Sequence, residues 1–195
     1  MTVKRRSLDV AAPRPSPGPR SRWRIDGSVA AYALIGAALY GVLGLFSSTA
    51  GPAVIRPGFA LVPFLGYVFG PVVGFASGFI GQGILEQIGG ISPEGSWIHG
   101  VASGLIGLVA GLAPLYVPRL YRGTLLQRAG GGAVAAVLGA LAGALIAFVQ
   151  GGGTTFADLV LMRSLPIAIV NAAIGALIVP ILVYLWEPLA ESMAS

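Results

Sequence analysis

Residues 56–86, RPGFALVPFLGYVFGPVVGFASGFIGQGILE, run for 31 residues from an arginine to a glutamate with no charge between them. A helix crosses the hydrocarbon core of a bilayer in about 20 residues, so the stretch is too long for one ordinary crossing and short for two. Which it is decides the side on which every later segment emerges. The solvent of such a chain is largely lipid. Of the 195 residues, 55% are apolar and 10% charged, against about a quarter charged in soluble domains. The 30 glycines sit inside apolar runs, as in membrane helices that pack closely. There is no cysteine, which excludes disulfides, thiolate metal sites and cysteine nucleophiles.

The net charge of +5 is unevenly placed. Seven of the twelve basic residues, Lys4, Arg5, Arg6, Arg14, Arg20, Arg22 and Arg24, precede residue 25. Among them runs the proline-rich AAPRPSPGPR, which neither pairs as a strand nor runs as a helix. Residues 1–24 are expected to form a disordered, basic cytoplasmic tail lying near anionic lipid. Residues 25–195 are expected to form one membrane domain.

Four other runs, 29–46, 97–115, 129–149 and 164–186, hold 18 to 23 residues without Lys, Arg, Asp or Glu. Trp23, Trp97 and Trp186 lie at or near span ends, as aromatic anchors do, and Pro166 and Pro180 are expected to start and kink the last helix. Charge then tests the long stretch. With one crossing and the N-terminus inside, eight basic residues face in and four out. With two crossings Arg119, Arg122 and Arg128 return to the cytoplasm, leaving ten in and two, Arg56 and Arg163, out. The positive-inside rule prefers two crossings and six spans. Gly70-Pro71 supplies the break, because proline disfavours helical geometry in the residue before it. The expected arms are 57–69 and 72–88, and the first must be short, recessed or covered by neighbours; a re-entrant hairpin is the alternative. The fold class is therefore an all-α six-helix membrane bundle with both termini cytoplasmic.

Ala33, Ala37 and Gly41 share one face of the first span, and Gly132, Ala136, Ala140 and Ala144 one face of the fifth, beside Gly139 and Gly143. Such seams let helix backbones approach. An acidic side chain at the bilayer centre costs roughly 2.5–3.5 kcal/mol on insertion scales, so Glu86 requires a reason for its place. Gln82 lies one turn before it. His99, the only histidine, stands beside Trp97 and one turn before Ser103. In the six-span scheme Gln82, Glu86, Trp97, His99 and Ser103 all fall in the outer half, with Asn171 deeper, and are expected to line a ligand cavity. One histidine and no cysteine give no metal site. Ser103 and His99 have no orienting third group, and there is no P-loop. Neither catalysis nor a cofactor is expected.

The hairpin ALVPFLGYVFGPVVGF and the span SGLIGLVAGL, with six short spans in so small a chain, resemble the substrate-binding S component of energy-coupling factor (ECF) transporters. The likeness covers residues 29–186. It implies a six-helix protein of a prokaryotic cell membrane that binds a vitamin or similar micronutrient near the outer face and partners a membrane coupling protein and two cytoplasmic ATPases. In that family, small residues spaced A-x-x-x-A on the first helix contact the coupling protein, a motif that Ala33 and Ala37 match, with Gly41 continuing the row. Relatives with this hairpin often read GNxxGD where this chain has GQGILE, and carry Asn where Ser103 stands. A carboxylate beside a Trp suits a cationic heteroaromatic compound, so a thiamine-like molecule or its pyrimidine precursor is the first expectation. Riboflavin, cobalamin and a queuosine-type base stay open. The alternative of a different class is a small membrane scaffold that binds no solute.

Overall fold

Gly70 decides how the uncharged stretch folds. In the computed structural model, which describes Trp23 and residues 25–50, 53–90, 93–118, 123–149 and 165–194, its backbone takes φ 107° and ψ 169°. This region is essentially closed to residues with a Cβ. The chain reverses there between helix α2 (Leu61–Phe69), entered through a 3-10 turn at Pro57–Ala60, and helix α3 (Pro71–Ile88), whose first residue is Pro71. Proline suits that position, since the first helical N–H has no intrahelical partner in any case. The expected break falls where it was placed.

Four more helices surround this hairpin: α1 (Gly27–Leu43), α4 (Pro93–Tyr116), α5 (Leu125–Val149) and α6 (Leu165–Ala194). Asp26 caps α1, its carboxylate accepting from the backbone N–H groups of Ser28 and Val29 at 3.1 Å each, which satisfies two of the donors a helix start leaves open. Pro166 lies in the first turn of α6, while Pro180 and Pro188 lie within it. The sequence assigned nothing between α1 and α2, where two three-residue strands, β1 (Ser48–Ala50) and β2 (Ala53–Ile55), pair antiparallel with Thr49 opposite Val54. The described residues hold six α-helices, the 3-10 turn and this ribbon. Most of the expected tail 1–24, with Arg119, Arg122 and Arg163, lies outside them.

Three helical stretches are long and apolar enough to cross a membrane: Trp97–Tyr116, Leu125–Ile146 and Leu165–Ala190. The chain is thus a membrane protein with three candidate spans by length and composition. Gly27–Leu43 and Pro57–Phe69 are shorter apolar helices. The 3-10 turn and α2 together rise roughly 21 Å, less than the hydrocarbon thickness of about 30 Å.

Neighbours cover what lipid would not hold. Ala60, Phe64, Leu65 and Tyr67 of the short arm form one core with Val73 of α3, Ala110 of α4, Ala135 and Ala136 of α5, and Val179 and Val183 of α6. α2 is therefore the central helix of the bundle. α6 instead leaves Leu177, Ile181, Tyr184, Leu185 and Leu189 exposed, an apolar outer face suited to acyl chains.

Glycine sets the distance between α2, α3 and α4. A Cβ on Gly74 would stand 2.5 Å from the carbonyl oxygen of Gly107 and 2.6 Å from Cα of Gly66. One on Gly111 would stand 2.5 Å from Cα of Pro71, and one on Gly78 would strike the Ser103 carbonyl. The three helices meet backbone to backbone at Gly66, Gly74 and Gly107, which no residue with a side chain allows. In the fifth-span seam, Gly139 and Gly143 face Ile106 of α4, while Gly132 faces Val179 and Val183 of α6.

At one end of the bundle Phe69 packs tilted against Tyr32 and edge-on against Trp186, with ring centroids 4.7 and 5.1 Å apart. Nearby, the Tyr67 hydroxyl donates to the Arg128 carbonyl at 2.9 Å, and Arg128 pairs with Glu187 at 2.6 Å. The polar site occupies the other end.

Candidate functional site

Three helices bring the polar side chains together. Tyr40 lies on α1 on the same face as Ala33 and Ala37, two turns and one turn away respectively, and is fully buried. On α3, Ser77, Gln82 and Glu86 are all buried. On α4, running antiparallel to α3, His99 and Ser103 stand one turn apart. The glycine contact between α3 and α4 at Gly78 and Ser103 is what lets a side chain as short as serine reach across.

The hydrogen bonds form one chain. The Tyr40 hydroxyl donates to Oε1 of Gln82 at 2.8 Å, and Ser103 donates to the same oxygen at 3.3 Å. Nε2 of Gln82 donates to Oε1 of Glu86 at 2.8 Å, and Nδ1 of His99 meets that oxygen at 2.8 Å. Ser77 closes the α1–α3 contact by donating to the Ala33 carbonyl at 3.2 Å. The Gln82 orientation follows from its partners, because only its oxygen can accept from two hydroxyls.

Glu86 sits in the last turn of α3, where the helix dipole disfavours a negative charge by about 0.3–1 kcal/mol and no basic residue compensates. Its side chain is 4% exposed, against 49% for that of His99. The network thus runs from a fully buried phenol to a half-exposed imidazole, with the carboxylate just beneath the surface. It offers positioned hydrogen-bond donors and acceptors and no nucleophile activated by a base. Among the described residues no group of three His, Cys, Asp or Glu is placed to hold a metal ion.

Four of the expected ligand residues, Gln82, Glu86, His99 and Ser103, are brought into contact. Trp97 stands 59% exposed on the first turns of α4, outside the hydrogen-bonded chain. Asn171 is half-buried on α6 and shares no hydrogen bond with it. Ala33, Ala37 and Gly41 are all buried. They face α3: a Cβ on Gly41 would meet Ile84 at 2.7 Å, and one on Gly81 would meet the Ala37 carbonyl at 2.8 Å. Sequence reasoning missed Tyr40, although it falls in register with that small-residue row, because the row was read for small residues alone. It also counted Arg56 only as an outer charge. Phe59, one turn after Arg56, packs in the same cluster as Tyr40.

The comparisons with known proteins agree with the resemblance. The pattern of the ECF-type riboflavin transporter S component family matches residues 28–187. The chain is similar to a UPF0397 protein of Vibrio atlanticus (strain LGP32), 37% identical over 99 residues, or 47% of this chain and 51% of that one. It is also similar to a UPF0397 protein of Streptococcus gordonii (strain Challis), 44% identical over 85 residues, or 43% and 45% of the two chains. The matches span about half the length of these curated relatives. No solved structure matches.

Proposed function

This chain belongs to the ECF-type riboflavin transporter S component family, and from that premise we propose that it is the substrate-binding membrane subunit of an ATP-driven importer. It captures a vitamin or related micronutrient at the outer face of a prokaryotic cell membrane. It delivers the solute by association with a membrane coupling protein and two cytoplasmic ATPases. The family is a transporter component and not an enzyme class.

The observation that carries this reading is the Tyr40–Gln82–Glu86–His99 hydrogen-bond chain, buried up to Glu86. A carboxylate and an amide in a membrane domain need a use, and here they converge with Ser103 at one end of the bundle. Trp97 and Asn171 complete the proposed wall from α4 and α6. The opposite end carries Arg128 and belongs to the cytoplasm by the positive-inside rule. With that orientation the proposed topology has both termini inside and six crossings, α2 being a short, covered one.

The coupling protein is proposed to meet α1. In the isolated chain α3 already covers Ala33, Ala37 and Gly41, so docking through them would require α1 to part from α3. The row Leu34, Ala38 and Val42 on the other side of α1 is exposed and offers contact without that separation. Copurification tests this: Ala38→Glu is expected to abolish recovery of the coupling protein and ATPases. Full recovery would rule that row out. Mass spectrometry of a small molecule retained through purification tests the binding function itself, and a chain that never carries one would sink it.

A further inference from the structure

The hydrogen-bonded chain is satisfied by its own members. Tyr40 and Ser103 both donate to Gln82, and Gln82 donates to Oε1 of Glu86. His99 meets that same oxygen at 2.8 Å. Oε2 of Glu86 is buried and has no hydrogen-bond partner, a rare state that calls for an explanation. With its side chain 4% exposed, the carboxylate is closed to a solute until one of its neighbours moves.

The neighbours differ in what it takes to move them. Tyr40, Gln82 and Ser103 are all buried. Withdrawing any of them strands a polar group where no water can replace the lost partner. His99 is the exception, because its side chain is 49% exposed. An imidazole that swings off Glu86 is hydrated at once, and a solvent-screened pair of this kind is weak. Exposed side chains change rotamer within nanoseconds, whereas the α3–α4 contact beside it is fixed backbone to backbone at Gly78 and Ser103. Among the described residues no other basic side chain lies within ion-pair distance of Glu86.

Resting on the substrate-binding reading above, we propose that His99 is a side-chain gate over Glu86. The closed arrangement is the unloaded site. On loading, the ring turns out into solvent and the solute takes its place on the carboxylate, whose second oxygen is still unpartnered. His99 is then displaced by the solute instead of lining its cavity, which differs from the role expected of it beside Trp97 and Ser103.

The test uses the full chain in lipid nanodiscs and two reagents, each read by peptide mass spectrometry. A water-soluble carbodiimide with glycinamide labels carboxylates, and exposed Asp26 is the reference within each sample. Glu86 is expected to be labelled far more slowly than Asp26 in wild type. His99→Ala is expected to raise the ratio of Glu86 to Asp26 labelling about 2–5-fold, the factor set by a solvent-screened pair. Glu187, 16% exposed at the opposite end, is expected to keep its rate. An unchanged Glu86 ratio overturns the gate. So does an equal rise at Glu187, which is the signature of general loosening.

Diethyl pyrocarbonate reports on the other partner without ambiguity, because His99 is the only histidine. Riboflavin and thiamine serve in turn as probe solutes, with binding read by calorimetry. A probe that binds is expected to lower labelling of Glu86 and to raise that of His99 about twofold, as the ring passes from half to full exposure. A purely structural or lining role for His99 does not produce these opposite changes. A bound probe that leaves His99 labelling unchanged or lowers it overturns the gate and leaves the substrate-binding reading standing. If neither probe binds, the His99→Ala comparison decides the gate by itself. A chain that retains no compound through purification sinks the substrate-binding reading, and the gate with it.

Discussion

Glu86 and its neighbours differ in how far the sequence exposed them. Gln82 and Glu86 on one helix, and His99 and Ser103 on another, each lie four residues apart, and that spacing alone puts each pair on a common face. It does not say that the two faces meet, nor that Tyr40 reaches in from a third helix. Arg56 was harder still, because it precedes a 3-10 turn and belongs to no periodic face. Trp97 and Asn171 were chosen for residue type and span, and the hydrogen-bonded chain does not include them. At this scale His99 gives a direct test. Its pair with Glu86 is half in solvent, so removing it by His99→Ala is expected to cost about 1 kcal/mol after allowing for screening, or roughly 2–4 °C in Tm for a chain of this size. Thermal unfolding in detergent reads this, and an unchanged Tm would mean the pair contributes nothing to stability. Glu86→Gln, which keeps the shape and removes the charge, separates charge from packing in the same measurement.

At the scale of elements, helix boundaries were largely legible and helix contacts were not. The four spans outside the hairpin follow from uncharged runs, and observed ends depart from the expected ones by a few residues except where α6 continues past Trp186 to Ala194. Gly70-Pro71 was readable because backbone sterics act locally. The β ribbon was not, since strands of three residues are too short for alternation to show. The glycine contact of α3 with α4 was also passed over, although Gly70, Gly74 and Gly78 and then Ser103, Gly107 and Gly111 recur every four residues. With 30 glycines in the chain, α3, α4 and α5 all show such rows, and only the packing says which rows meet. Gly107→Ala should separate the alternatives. Alanine improves helix propensity by about 1 kcal/mol, but its Cβ would strike the Gly74 backbone, which cannot turn aside as a side chain can. Loss of folded monomer on size exclusion is expected. Gly83→Ala, with nothing within 4 Å of the new methyl, is expected to be neutral or slightly stabilising; equal behaviour of the two would remove the backbone contact as a constraint. Gly70→Ala is expected to destabilise by about 1–3 kcal/mol through its positive φ, seen as a lower Tm in the same assay.

For the whole molecule, length and hydropathy give three clear candidate spans, and cysteine labelling counts the crossings. The absence of native cysteine makes the test clean. In intact cells a membrane-impermeant maleimide is expected to label Ser47→Cys, at the outer end of α1. It should label Thr124→Cys and Ser192→Cys only after permeabilisation. Labelling of Thr124→Cys from outside would return the chain to five crossings and reverse the side on which Arg128 lies. The sequence required the short arm to be short, recessed or covered by neighbours, and the packing supplies cover from four helices.

That central position of α2 bears on the order in which the protein can be made. A helix too short to match the bilayer and buried on most sides cannot be a free intermediate dissolved in lipid, as the longer helices can. It must enter joined to α3 as one insertion unit. Once α4 has emerged, the glycine contacts that hold Gln82 against Ser103 can form. The side of α2 that meets Val179 and Val183 stays open until α6 leaves the ribosome. Biogenesis is therefore most exposed to error in the interval between the synthesis of α4 and that of α6, when the core helix is inserted but not yet enclosed.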